Sequence, residues 1–260
     1  MERPRGFLDQ RHLRLAAERT APTKARSYEL MRIQSGHRVL DLGCGPGTDT
    51  IPLAHLVGPT GQVVGIDRDP EMIAAAERRA TQAGVSSWVS HRQGDASALA
   101  LDADSFDSSR SERMFQHLVE PARALAELMR VTKPGGSIVV IDIDWGTASI
   151  DAPSIDLERR LIRVLAERVL ANGYAGRQLY RLFCEAGLTG VTFELFSYPV
   201  TDVTTLRQLG RLDTVERIAL DEGVASADEL AQWRAALQQA SAAGTLFGSV
   251  TLVLVAGCKP

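Results

Sequence analysis

Val39-Leu40-Asp41-Leu42-Gly43-Cys44-Gly45-Pro46-Gly47-Thr48-Asp49 is the stretch on which the reading of this 260-residue chain turns. An apolar run meets an acidic residue, three glycines follow at alternate positions, and a helical pattern begins. Glycine is required where the backbone turns through positive φ or where a ligand touches the main chain. A plain strand-to-helix turn seldom needs three of them. A dinucleotide loop is spaced G-x-G-x-x-G, so that a pyrophosphate rests against the helix N-terminus. Here the spacing is G-x-G-x-G, Thr48 holds the third-glycine position of the longer motif, and Asp41 is a poor neighbour for a phosphate. No Gly-Lys-Ser/Thr follows, which excludes a P-loop. The loop suits a cationic ligand better than an anionic one.

Outward from this loop, short β-branched or apolar runs alternate with helical patterns. Arg38–Asp41, Gln62–Asp67, Trp88–Arg92, Ser105–Ser109 and Ser137–Ile143 read as strands, each bounded by Gly, Asp or Ser. Pro70–Ala83 sets Ile73, Ala76 and Ala80 on one helical face, and Pro121–Val131 does the same for Leu125, Leu128 and Met129. Lys133-Pro134-Gly135-Gly136 stops the second helix. This rhythm predicts a parallel sheet covered by helices on both faces. Before it, Leu8–Ile33 is a helical pattern broken at Thr20–Thr23. After it come helices over Pro153–Ala171 and Gly176–Ala186, a strand over Val191–Val200, helices over Val203–Leu220 and Ala227–Ala243, and a strand over Ser249–Gly257 whose direction the pattern does not fix. In the first of these helices Leu157, Leu161, Val164, Leu165 and Arg168 fall at helical spacing.

Composition narrows the function classes. With 29 basic and 32 acidic residues the formal net charge is -3, which disfavours a nucleic-acid backbone or an anionic membrane as partner. Three cysteines (Cys44, Cys184, Cys258) lack both metal-ligand and CxxC spacing. Met1–Gln10 has no apolar signal segment, and no apolar run approaches the ~20 residues that span a bilayer. The expectation is a cytoplasmic protein of one domain, with residues 1–36 as an N-terminal helical lid, 37–145 as a cofactor-binding core and 146–260 as substrate-side helices and closing strands.

The chain resembles the class I S-adenosylmethionine-dependent methyltransferases of the small-molecule type. The resemblance is colinear from Arg38 to Trp145 and rests on Val39–Gly47, Gly65–Met72, Gly94-Asp95-Ala96, Phe106-Asp107 with His117-Leu118, and Lys133–Gly136 leading into a strand. It implies an α/β, Rossmann-like, doubly wound seven-stranded sheet with its last strand antiparallel, plus helical lid additions. It also implies S-adenosyl-L-methionine as cofactor and S-adenosyl-L-homocysteine as product. The cofactor is a sulfonium and an ammonium without phosphate, in keeping with the loop.

By the same resemblance, Gly43, Gly45 and Gly47 would admit the methionine part, with Asp41 near its ammonium directly or through water. Asp67, 20 residues beyond Gly47, would accept from both ribose hydroxyls, whereas Asp69 reads better as a helix cap. Asp95 would accept from the adenine amino group and Ala96 donate to a ring nitrogen, with a capping role open for Asp95. Arg68 and Met72 would flank the adenine, and Met72 reads equally as core. The run Phe106-Asp107-Ser108-Ser109-Arg110-Ser111-Glu112-Arg113 departs from the family, because a central parallel strand is buried on both faces and normally apolar. Either Arg110 or Arg113 faces the pocket, or the strand is short and the polar residues form a loop. Ser111 is carried as a backbone contact.

Methyl transfer is an in-line displacement in which alignment and exclusion of water are the protein's main tasks. A base is needed only if the acceptor must lose a proton. His117 is the best-placed candidate, with Asp142, Asp144 and Glu112 behind it, and a structural role for His117 stands beside the catalytic one. Arg113, Asp144 and Trp145 are the candidate substrate contacts. Asp144 could equally cap the turn after Gly146, and the Asn172–Arg177 loop is a further rim candidate. A roof from the N-terminal helices and Val203–Ala243, with Leu206, Leu209, Leu212, Ile218, Leu230 and Trp233, favours a small, partly apolar acceptor, as in specialised metabolism, methylated at O, N or C. The alternative is a cofactor-binding protein of the same fold with a non-methylating role, pericyclic or decarboxylative catalysis or partnership. No metal is expected, and the oligomeric state is left open.

Overall fold

Along β1 (Arg38–Leu42) Val39 joins one buried cluster while Leu40 and Leu42 join another, so the strand is covered on both faces. The same alternation separates Val139 and Ile141 from Ile138 and Val140 in β5 (Thr132–Ile150). Strands buried this way form the centre of a parallel sheet with helices on each side. The computed structural model describes residues 20–260. With β2 (Gln62–Asp67), β3 (Val89–Gln93), β4 (Phe106–Glu112), β6 (Thr189–Val200) and β7 (Gly248–Cys258), the sheet is ordered β3-β2-β1-β4-β5-β7-β6. The first five strands are parallel, and β7 runs antiparallel to both β5 and β6. The doubly wound seven-stranded sheet with its last strand antiparallel is therefore the observed fold.

The helices follow their caps. Asp69 accepts from the Glu71 N–H at 2.9 Å and opens α3 (Pro70–Gln82), whose buried residues are Met72, Ala76 and Ala80, with Ile73 only half-buried. The helix over Pro121–Val131, α4, starts at a proline and buries Ala124, Leu125, Leu128 and Val131. The remaining helices are α1 (Ala21–Leu30), α2 (Thr50–Val57), α5 (Ile155–Val164), α6 (Ala175–Glu185), α7 (Val203–Leu209), α8 (Leu212–Asp221) and α9 (Ala227–Ala242).

Three expectations need correction. The Thr20–Thr23 stretch is not a break: α1 begins there, with Pro22 in the first turn where a missing N–H costs nothing; the earlier part of that pattern lies outside the described residues. The long helix over Pro153–Ala171 stops at Val164 and passes into a π-turn, Leu165–Val169, closed by Leu170 N–H donating to Leu165 O. The wider turn rotates later side chains off the stripe, and Arg168 sits at the surface, paired with Glu222 at 3.1 Å. The helix over Val203–Leu220 divides at Gly210-Arg211, where Arg211 takes φ 50 and re-aims the chain.

The polar β4 resolves the other question. The strand runs unbroken through Glu112, and most of its polar side chains find partners inside the sheet. Ser108 Oγ donates to Ser137 O at 3.0 Å, and Ser109 Oγ lies 2.7 Å from Thr132 Oγ1. Arg110 is completely buried and is the register neighbour of Asp41 on β1.

Candidate functional site

Because the chain goes from β1 outward to β3 and then returns to β4 on the opposite side, a crevice opens at the carboxyl ends of β1 and β4. Open α/β sheets bind ligands at such a switch point. A cavity of about 630 Å³ lies here, lined from the ends of β1, β2 and β4 and from the segments that follow them and β3. That size falls in the range of small-ligand sites. The walls are acidic: Asp41, Asp49, Asp67, Asp69, Asp95 and Glu112 face three cations, Lys24, Arg68 and Arg113.

The glycine loop forms the floor. Gly43, Gly45 and Gly47 have φ of 77, 52 and 72, all left-handed. A Cβ on Gly43 would stand 2.9 Å from the Met114 side chain, and one on Gly47 would stand 2.9 Å from Ala76 Cβ on α3. Gly47→Ala is expected to lower stability by about 2–5 kcal/mol, the left-handed penalty plus overpacking against a helix backbone. Denaturant unfolding checks this, and an unchanged midpoint would contradict it.

Asp67 ends β2 and ties the loop down. Its Oδ2 accepts from Gly45 N–H at 2.9 Å and its Oδ1 from Asp69 N–H at 3.0 Å. A carboxylate has about four lone-pair directions, so each oxygen retains accepting capacity. Burial raises the pKa of Asp67, opposed by these two N–H donors. Asp95 is turned into its own loop: Oδ1 accepts from the N–H and Oγ of Ser97 at 2.9 and 2.7 Å, and these bonds lower its pKa. No helix begins there, so its capping is that of a turn. Ala96, Arg68 and Met72 all line the cavity; Met72 is buried yet belongs to neither apolar cluster.

At the other end lies a buried ionic network that sequence reasoning did not assemble. Arg110 Nη1 lies 3.3 Å from Asp41 and 3.2 Å from Asp49, and Nη2 lies 2.8 Å from Glu112. Lys24 of α1 reaches Asp49 at 2.5 Å and Glu112 at 2.9 Å, and Tyr28 OH donates to Asp49 at 2.5 Å. Arg113 Nε closes the set on Glu112 at 3.2 Å. Burial pushes Asp41 up to about 7, only partly countered by Arg110. Burial also opposes the charge of Asp49 and Glu112, but Arg110 and Lys24 at the first and Lys24 at the second hold both below their ordinary values. One signal was legible: Lys24 and Tyr28 stand four apart, on one face of a helix.

The remaining candidates separate. His117 lines the cavity from a short 3₁₀ turn, Phe115–His117. Ser111, expected as a backbone contact, is fully buried within the sheet and absent from the cavity wall, where Glu112 and Arg113 stand instead. Asp142 is buried and accepts from the Gln116 N–H at 3.1 Å, capping that 3₁₀ turn. Of the two roles open to Asp144, substrate contact or turn cap, the structure shows the cap: the residue is buried, absent from the cavity wall, accepts from Gly146 N–H at 3.1 Å and holds Arg177 Nε at 2.6 Å. The rim loop is thereby drawn inward, with Arg177 stacked on Tyr174, and neither residue lines the cavity. Trp145 lies within β5 and lines a second, apolar cavity with Leu206, Leu209 and Leu212. Leu230 and Trp233 are core, and Ile218 is half-buried against it.

Among the described residues no group of three or more His, Cys, Asp or Glu could hold a metal ion, and no helix is long and apolar enough to cross a membrane.

A family profile described as a methyltransferase domain matches residues 33–187. The "Uncharacterized 37.1 kDa protein in transposon TN4556" of Streptomyces fradiae is 37% identical over 242 residues, covering 91% of this chain and 68% of that protein. The ubiquinone/menaquinone biosynthesis C-methyltransferase UbiE of Pseudomonas fluorescens is 31% identical over 160 residues, 62% of this chain and 61% of its own length, so the chain spans less than two thirds of that relative. Among solved structures, the YcgJ protein of Bacillus subtilis shares the fold with a TM-score of 0.67 at 20% identity, over 92% of this chain and 98% of that one. The match over residues 33–187, joined to the sheet order and the glycine loop, establishes that this chain belongs to the methyltransferase-domain family, on the class I S-adenosylmethionine-dependent fold.

Proposed function

We propose that this chain, as one domain, transfers a methyl group from S-adenosylmethionine to a small organic acceptor. The observation that carries the reading is the acid-rich cavity over three left-handed glycines at the β1/β4 switch point. The residues present fit the cofactor. The two oxygens of Asp67 retain acceptor capacity for a ribose diol. Asp95 and Ala96 would meet the adenine edge, with Arg68 and Met72 on its faces. Arg110 takes Asp41 Oδ1, which leaves Oδ2 for an ammonium group. Lys24, a cation on the same wall, would receive the carboxylate.

When bound, the sulfonium supplies an activated methyl group whose bond pair returns to sulfur. The chain's own residues then have an alignment task. The glycine floor holds the methionine part, and Lys24 of α1 stands on the wall beside it. His117 stands on the wall as the proton acceptor for an acceptor that must lose one. Similarity to a C-methyltransferase keeps carbon among the acceptor atoms, beside oxygen and nitrogen. The net charge of -3 supports a small molecule over a nucleic acid.

Titration calorimetry tests the reading. S-adenosylhomocysteine is expected to bind in the micromolar range or tighter and NAD not at all. Absence of S-adenosylhomocysteine binding, or preference for NAD, would sink it.

A further inference from the structure

We infer that the acceptor is a phenol-type molecule whose ring sits in the second cavity and whose acidic oxygen is received by Arg113; this rests on the methyl-transfer reading above. The second cavity is about 90 Å³ and is walled by Ile143, Trp145, Ile162, Leu206 and Leu209. A dry apolar cavity of comparable order admits a single aromatic ring. Trp145 Nε1 donates to Gln116 Oε1 at 2.7 Å, so the polar atom of the indole is satisfied outside the cavity and an aromatic surface is left to pack. Among the described residues, Arg113 is the one charged side chain lining this cavity, and it lines the large cavity as well. It therefore stands where a ring in the small cavity and a methyl donor in the large one would meet.

The arginine is built for a missing partner. Its side chain is only 11% exposed, and its Nε is spent on Glu112. Neither terminal nitrogen has an acceptor among the described residues, and the residue lines both cavities. Leaving charged donors unsatisfied at such depth is costly, and an anionic oxygen would satisfy them. The backbone is held in place for it: Arg113 takes φ 53, its N–H donates to Ile141 O at 2.8 Å, and Gln116 Nε2 donates to its carbonyl at 3.1 Å. Strain retained at such a position is typical of ligand-clamping residues. On binding, the phenol O–H bond breaks, its proton passes to solvent, and the oxygen keeps the pair as a phenolate beside the guanidinium. Apolar walls exclude the water that would otherwise compete for that oxygen.

The probe is 4-nitrophenol, whose phenolate absorbs visible light, titrated against the full chain without cofactor. Bound probe is expected to ionise at lower pH than free probe and to quench tryptophan fluorescence. R113M should weaken its binding by roughly tenfold or more, the loss of a charge-assisted hydrogen bond, and abolish the ionisation shift, with R113K intermediate. L209F, which keeps the arginine but fills the cavity, should also lose the probe while S-adenosylhomocysteine affinity stays near that of the parent, which shows that the variant folds. Probe binding indifferent to both substitutions, or an unshifted ionisation, overturns the inference and leaves methyl transfer intact. Arginine-dependent probe binding in a chain that does not bind S-adenosylhomocysteine overturns the acceptor assignment along with that reading.

Discussion

Asp67→Ala is expected to weaken S-adenosylhomocysteine binding by about 10²–10⁴-fold, because two hydrogen bonds to a charged acceptor contribute roughly 1.5–3 kcal/mol each and 1.4 kcal/mol is a factor of ten. The effect has two parts. The ribose diol loses its acceptor, and the glycine loop loses the anchor on Gly45 N–H, held at 2.9 Å in the parent. Asp69→Ala supplies the contrast. That residue caps α3, so its loss should lower the melting temperature through about 1 kcal/mol of capping energy while affinity stays near that of the parent. Calorimetric affinity together with thermal unfolding separates the two. Should D67A bind as the parent does, the ribose assignment is wrong even if the fold is right.

Arg110→Met should destabilise the folded chain by about 3–5 kcal/mol, the usual result of leaving buried charge without its partner. For a chain of this size that is a fall of about 10 °C in melting temperature. Three carboxylates, Asp41, Asp49 and Glu112, surround the guanidinium within 3.3 Å, and only Lys24 and Arg113 would remain to balance them. The pH dependence has a definite sign. In the parent, Asp49 and Glu112 lie below their ordinary values when folded, so their contribution is present above the unfolded pKa of about 4 and is lost as pH falls. Asp41, raised to about 7, works the other way: the folded state binds its proton more tightly, and stability declines as pH rises from about 4 to 7. Without the guanidinium all three shift upward. The R110M deficit should therefore be larger at pH 8 than at pH 5. Adding Asp41→Leu should recover part of it, since apolar replacement of a whole buried pair is often neutral. An equal deficit at both pH values would show that the charges of this network are not what Arg110 offsets.

Much of this molecule was readable as text. The strand-glycine-helix signal at Val39–Asp49, the acidic residue at the end of β2 and the cap at Asp69 are local features, and each depends on residues close together in the chain. Hydrophobic periodicity located the helices and allowed Met72 as core, though it also set Ile73 on the buried face, where α3 leaves it half-buried, because the sheet rather than the pattern selects the face. Helix interruptions were less legible. Gly210-Arg211 and the π-turn after Val164 follow from packing against other elements, and neither carries a proline to announce it.

The polar strand shows the same boundary most clearly. Read alone, Asp107–Arg113 looked too hydrophilic for the middle of a sheet, since Asp41 and Asp49, which meet Arg110 beside its near neighbour Glu112, lie far from it in sequence. Parallel pairing brings Asp41 alongside it, and α1 delivers Lys24 and Tyr28 from the other direction. Asp144 was left between two roles for the corresponding reason: its partner Arg177 lies 33 positions away on α6. Local order thus determined the family, the fold and the glycine loop. Which charges neutralise one another, and that Arg113 lines both cavities, was decided by tertiary structure, because electrostatic energy depends on distance in space and chain order says little about that.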